Sequence, residues 1–185
     1  MDTCDRRDRS GAVIWLTGLS GAGKSTISHA VCRELEHSGE IVECLDGDAI
    51  RSVFPQTGFS PEERDIHVRR VAFMASRLER HGVVVVVSLI SPYRRSRAFA
   101  RELCRQFVEV YVSTPITVCE ARDVKGLYRR ARAGQISHFT GLDDSYEPPS
   151  DPELVVDAGE VSVLEAVSRV LEALQRRRLA DLTGR

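Results

Sequence analysis

The residues best equipped for chemistry in this chain are a glycine-rich run, Gly18-Leu19-Ser20-Gly21-Ala22-Gly23-Lys24-Ser25-Thr26, whose first eight positions read G-x-x-x-x-G-K-S. Glycines let successive backbone N–H groups turn toward one anion, and a helix beginning near Lys24 adds the positive end of its dipole. In that arrangement Lys24 reaches the β and γ phosphates of a nucleotide such as ATP, and the Ser25 hydroxyl ligates Mg²⁺. The competing reading is a turn with no ligand, which would leave the intact motif and its flanks a coincidence.

Phosphate handling alone leaves motion, switching and small-molecule phosphorylation open. No N-K-x-D guanine-reading motif is present. Asp46 and Asp48, one residue apart, supply what transfer to a hydroxyl needs, a carboxylate to orient the acceptor or hold a metal's water shell. The alternative is a solvated Asp-Gly-Asp turn. After the valine run Val83–Val87 the chain carries Ser88 and no Asp, so the usual second metal carboxylate is missing there. Asp46 or Asp48 is the candidate to replace it.

These residues need elements to hold them. Ala12 to Thr17 reads as a strand entering the glycine loop, and Ile27, Val31 and Leu35 repeat on one face of the following helix, which ends at Ser38-Gly39. Ile41 to Leu45 predicts a second strand with Asp46 and Asp48 just past its end. Ser60-Pro61-Glu62-Glu63 is an N-terminal cap signature for a helix closed by His81-Gly82. Val83 to Val87 predicts a strand buried on both faces. Ser91-Pro92 opens another helix, Phe107 to Val112 is a further strand, and Val163 to Leu174 is an amphipathic C-terminal helix. Alternating strands and helices imply an α/β fold with a parallel sheet covered on both faces.

Between the last strand and last helix, residues 123–149 break the pattern. Lys125, Arg129, Arg130 and Arg132 follow Arg122, with glycines, prolines and few core positions. A mobile basic lid is the expectation, against the alternative of a solvated charged face. Residues 1–10 form a charged extension, 11–175 a single domain, and 176–185 a polar tail.

The 185 residues are 42% hydrophobic, enough to bury one core. With 26 Lys plus Arg against 27 Asp plus Glu, the net charge of −1 gives no global attraction to nucleic acid or to an anionic membrane. Five cysteines, widely spaced and without a C-x-x-C pair, suit reduced cytosol, and neither a signal peptide nor a membrane span is read.

Several co-ordered motifs resemble the adenylylsulfate kinase (APS kinase) family. They are Leu45-Asp46-Gly47-Asp48, Gly58-Phe59-Ser60, Arg64 with Arg69-Arg70, and Ile90-Ser91-Pro92-Tyr93-Arg94, followed by Cys119-Glu120-Ala121-Arg122-Asp123, Lys125-Gly126-Leu127-Tyr128 and Phe139-Thr140-Gly141. The resemblance spans roughly residues 11 to 175. It implies a three-layer P-loop NTPase fold with a mostly parallel five-stranded sheet, and the reaction ATP + adenylyl sulfate → ADP + 3′-phosphoadenylyl sulfate. It also implies Mg²⁺, ATP sulfurylase as functional partner and a homodimer.

Position by position, the resemblance makes Arg51, Phe59, Arg64, Ile90, Ser91, Lys125 and Phe139 the sulfonucleotide site, with Asp48, His67 and Leu142 beside them, and sets Arg122 against the adenine of ATP. Arginines suit a dianion carrying phosphate and sulfate, and Phe59 and Phe139 could sandwich its base, each also readable as a core aromatic. Ser91 aligns with a serine that some relatives phosphorylate. Its alternative role is to cap the helix starting at Pro92, and direct in-line transfer is expected. The chain departs from the family pattern at Ala49 and His67, where many members carry Asn, and its 48–58 segment is about one residue shorter. These departures leave a kinase of another modified nucleotide, such as a cytidine diphosphate derivative, as the alternative, with a non-catalytic sulfonucleotide-binding module behind it.

Overall fold

A computed structural model describes residues 10–54 and 58–183. The extension up to residue 9 with its Cys4, the last two residues of the tail, and part of the shortened 48–58 segment lie outside the described residues.

The chain alternates β1 (Ala12–Thr17), α1 (Lys24–His37), β2 (Val42–Asp46), α2 (Gly47–Val53), α3 (Pro61–Glu79), β3 (Val84–Ser88), α4 (Arg94–Leu103), β4 (Phe107–Val112), α5 (Ile116–Arg122), α6 (Leu127–Arg132), β5 (Leu154–Val156) and α7 (Val163–Thr183). The strands form one parallel sheet in the order β2-β3-β1-β4-β5. Interior strands of such a sheet are covered on both faces, so β1 and β3 are fully buried.

Alternate side chains of each strand feed two cores. Ile14, Leu16, Val84 and Val86 pack against Ile27 and Val31 of α1 and Val167 and Val170 of α7. Val13, Trp15, Val85 and Val87 meet Val68, Val71 and Ala75 of α3 and Ala100 of α4. The result is the expected three-layer arrangement. Because all strands run one way, their carboxyl ends and the loops that follow open on the same edge of the sheet, where α/β ligand sites form.

Local signals that satisfy backbone groups hold up. Ser60 Oγ accepts from the Glu63 amide at 3.3 Å while Glu63 Oε2 accepts from the Ser60 amide at 3.0 Å, a reciprocal cap at the start of α3.

Three expectations need correction, and the first is the polar tail from residue 176, through which α7 continues as a helix to Thr183. The alternative read for Asp-Gly-Asp, a solvated turn, also gives way to a helix start, with Asp46 Oδ1 accepting from the amides of Asp48 (3.0 Å) and Ala49 (3.4 Å). Ser91 caps nothing: α4 begins at Arg94, whose amide donates to Glu147 Oε2 at 2.7 Å. The 123–149 segment has more core than its composition implies, since Tyr128 and Phe139 are 1% and 7% exposed and meet edge to face at 4.9 Å. Its apolar residues are split between the six-residue helix α6 and the turns that follow, too short a run for a period of 2 or 3.6 to betray them.

Candidate active site

The loop between β1 and α1 is shaped by its glycines. A Cβ on Gly18, at φ 150°, would stand 2.4 Å from the Val112 carbonyl oxygen, so no other residue fits there. Gly23 precedes α1 at φ 105°, a left-handed conformation that side chains resist. Gly18, Leu19 and Ala22 thus shape the loop, while Ser20, Gly21, Gly23, Lys24, Ser25 and Thr26 line the cavity above it.

Lys24 is 8% exposed and donates to the Leu19 carbonyl at 2.7 Å. Burial lowers its pKa to about 8. A polyphosphate would supply the negative charge this buried ammonium lacks.

Ser25 Oγ donates to Asp46 Oδ2 at 3.0 Å and lies 3.4 Å from Ser88 Oγ. A carboxylate from the end of β2 thus stands beside the phosphate loop, where the end of β3 brings Ser88. Three oxygens of this kind beside a phosphate loop suit a hard cation such as Mg²⁺, which keeps much of its water and needs few protein ligands. Asp46 thus caps α2 with one oxygen and offers the other to this cluster.

A single cavity of about 1200 Å³ runs from this loop to an arginine- and aromatic-lined end. There, Arg51 and Arg64 place their guanidinium carbons 4.7 and 5.4 Å from the centre of the Phe59 ring. Arg64 donates to the carbonyls of Phe59 (2.8 Å) and His138 (2.6 Å), with Asp144 3.8 Å away. Burial, then the charge of Arg64, lowers the pKa of Arg51; burial lowers that of Arg64 against the opposing pull of Asp144. Two crowded, partly desolvated cations favour an anion between them.

Phe59 is 54% exposed at the cavity, whereas Phe139 is buried against Tyr128 and contributes to the cavity wall. His67 is 1% exposed and also lines the wall, beside the Gly47 backbone. Burial and the charges of Arg51 and Arg70 push its pKa down to about 4. Asp48 and Lys125 form an ion pair at the same cavity.

Ile90 and Ser91 reach the cavity from beyond β3. Ser91 is 2% exposed; its Oγ accepts from Trp15 Nε1 at 3.1 Å and donates to Thr17 Oγ1 at 3.0 Å. No carboxylate or imidazole bonds to that hydroxyl, so nothing activates it as a nucleophile. Leu142 alone among the expected acceptor residues does not line the cavity, because the turn after Phe139 directs its side chain into the core.

At the donor end, Arg122 donates to the Ala158 carbonyl at 2.7 Å beside the loop. Val161, Ser162, Val163 and Ala166 complete that wall, residues the sequence reading does not single out because a helix start on an amphipathic pattern looks the same with or without a ligand. Tyr128 Oη donates to the Ser20 carbonyl at 2.9 Å, tying α6 to the loop.

A parallel sheet whose first strand enters a phosphate-cradling loop, with an oxygen cluster beside it and an arginine-lined compartment beyond, defines a P-loop phosphotransferase. The sequence profile described as "Adenylylsulphate kinase" matches residues 10–157. The adenylyl-sulfate kinase of Synechococcus sp. (strain JA-3-3Ab) is 52% identical over 168 residues, covering 90% of this chain and 96% of that protein. The adenylyl-sulfate kinase of Halothermothrix orenii is 45% identical over 177 residues, covering 95% and 96%. The structure of the Mycobacterium tuberculosis APS kinase in complex with AMPPNP and APS superposes with a TM-score of 0.86 at 40% identity, covering 90% of this chain and 98% of that one. The chain belongs to the adenylylsulphate kinase family.

Proposed function

We propose that the protein transfers the γ-phosphate of ATP to the 3′-hydroxyl of adenylyl sulfate, giving 3′-phosphoadenylyl sulfate and ADP. The observation that carries this reading is the continuity of one cavity from Lys24 and Ser25 to Arg51, Phe59 and Arg64. Donor phosphate and acceptor hydroxyl can meet in it without crossing water.

The chain's own residues divide the work. Backbone N–H groups of the loop and Lys24 hold the β and γ phosphates. Ser25 and Asp46 would hold Mg²⁺, which would neutralise charge on the phosphates. Arg51 and Arg64 neutralise the phosphate and sulfate of the acceptor, Phe59 stacks on its adenine, and Ile90, Ser91, Lys125, His67 and Phe139 frame it. Asp48, on the first turn of α2, orients the 3′-hydroxyl and accepts its proton. Transfer is direct and in line, since the buried Ser91 hydroxyl is already engaged by Trp15 and Thr17. Arg122 packs on the adenine of ATP, and the 123–149 segment closes over both nucleotides.

No described helix is long and apolar enough to cross a membrane, and Cys32, Cys44, Cys104 and Cys119 are free thiols. We place the enzyme in the cytosol as a homodimer, with ATP sulfurylase supplying its acceptor. His67, buried in the acceptor wall where many relatives carry Asn, is the observation that keeps a different modified nucleotide in view. A coupled ADP-release assay across adenylyl sulfate, AMP and cytidine diphosphate derivatives separates the two. Turnover at micromolar adenylyl sulfate is expected; turnover with another nucleotide and none with adenylyl sulfate overturns the assignment.

A further inference from the structure

Beneath the acceptor loop lies a buried charged cluster that the chemistry above does not use. Arg97, on α4, is 2% exposed and sends its guanidinium in three directions: Nε to Glu109 Oε1 on β4 at 2.7 Å, Nη1 to the Ser91 carbonyl at 2.6 Å, and Nη2 to the Glu147 carbonyl at 2.6 Å. Glu109 is anchored from its other side. Arg101 Nη2 lies 3.3 Å from Glu109 Oε2, Arg101 also pairs with Glu153 at 2.5 and 2.8 Å, and Glu153 Oε2 accepts from the Glu109 amide at 2.6 Å. Two arginines and two glutamates compensate one another.

Two of the three acceptors on Arg97 are backbone carbonyls. Ser91 lines the cavity, and Glu147 lies seven residues past Thr140, where the Phe139-Thr140 part of the wall ends. Ser91 also sits at φ 39°, a left-handed conformation that a residue with a side chain keeps only when its surroundings impose it. The restraints are visible. Thr17 Oγ1 donates to the Ile90 carbonyl at 2.7 Å and meets Tyr146 Oη at 3.0 Å, while the Tyr146 ring lies 5.8 Å from the Arg97 guanidinium carbon. The Glu147 carboxylate caps α4, the helix that carries Arg97.

We infer that Arg97 is a positioning residue for the acceptor nucleotide: one guanidinium ties the cavity-lining Ile90-Ser91 loop to the stretch of chain that follows the Phe139-Thr140 wall, and so holds Ser91 in place against the acceptor. A bare ion pair with Glu109 would need only one of the three bonds. Lysine could keep that pair, but a single ammonium lacks the planar fork that reaches both carbonyls. The donor loop takes no bond from Arg97, so its loss acts on one substrate only. This inference rests on the proposed reaction.

The test is Arg97→Lys in the full chain, with Michaelis constants for ATP and for adenylyl sulfate measured separately and ATP affinity read by equilibrium binding. A displacement of about an ångström at a reacting group costs on the order of 10²-fold. The expected result is therefore a fall of about 10- to 100-fold in kcat/KM for adenylyl sulfate, with ATP affinity within about twofold of the parent. Glu109→Gln is the second variant, loosening the anchor while leaving the fork in place, and is expected to give a smaller shift of the same kind. Equal losses for both substrates, unchanged acceptor kinetics, or failure of both variants to fold would overturn the inference and leave Arg97 a fold-supporting salt bridge. Parent enzyme that does not turn over adenylyl sulfate would instead contradict the functional reading.

Discussion

Lys125, between α5 and α6, pairs with Asp48 on the first turn of α2, so a cation from one segment meets the candidate acceptor-orienting carboxylate of another at the cavity they share. The two side chains are 58% and 69% exposed, and a pair that open to water contributes little to stability. On the proposed function, the acceptor competes with the carboxylate for the same ammonium.

Lys125→Ala should therefore change unfolding free energy by less than about 1 kcal/mol while raising KM for the acceptor. Asp48→Ala should leave the melting temperature equally untouched but lower kcat by about 10²- to 10⁴-fold, the range for a lost proton acceptor. Thermal melts and steady-state kinetics on both variants check this.

The two phenylalanines of the acceptor end should separate just as sharply. Phe139 is packed against Tyr128, and its truncation to Ala should cost about 3–5 kcal/mol in denaturant unfolding. Phe59→Ala removes a half-exposed ring, so stability should hold within about 1 kcal/mol while acceptor KM rises. A large stability loss for Phe59→Ala would contradict its role as an open stacking face.

Removing the buried ammonium should abolish catalysis without harming the fold. Lys24 has its pKa lowered to about 8 by burial, so the empty enzyme holds that charge at a cost. Lys24→Ala should melt no lower than the parent without nucleotide, lose the stabilisation that ATP confers, and lose about 10²- to 10³-fold or more in turnover. Differential scanning fluorimetry with and without ATP reads both effects.

His67 makes a signed prediction about pH. Its native pKa of about 4 lies below the ordinary 6.5, so as pH falls through this window the unfolded chain takes up a proton that the native state refuses. Stability is thus fully present above pH 6.5 and is lost toward pH 4. Between pH 7.5 and pH 5 this group should remove about 2 kcal/mol, and His67→Asn should flatten that part of the urea-unfolding profile.

How much of this was legible depends on how local each signal is. The Gly18–Ser25 loop, the cap at Ser60 and Glu63, and the valines of β3 are each written within a few consecutive residues; the structure places the first two as read and shifts the strand by one residue, to Val84–Ser88. Asp46 was legible as a candidate carboxylate at a strand end, but its task as the α2 cap is masked by an Asp-Gly-Asp pattern that also describes a turn. β5 has three residues at a sheet edge, Leu154–Val156, too short for any period to show. The cap of α4 comes from Glu147, 53 residues beyond the amide it serves, and no window of local sequence contains both partners. Arg97 is hidden for the same reason: among the arginines between Arg94 and Arg105, only the fold turns that one inward.

The central claim is best tested by following the phosphate itself. Incubating the enzyme with ATP labelled at the γ position, Mg²⁺ and adenylyl sulfate should place the label on a nucleotide that a 3′-phosphatase strips and that retains its sulfate. Label appearing only as inorganic phosphate, or on a nucleotide position that the 3′-phosphatase leaves intact, would contradict the account.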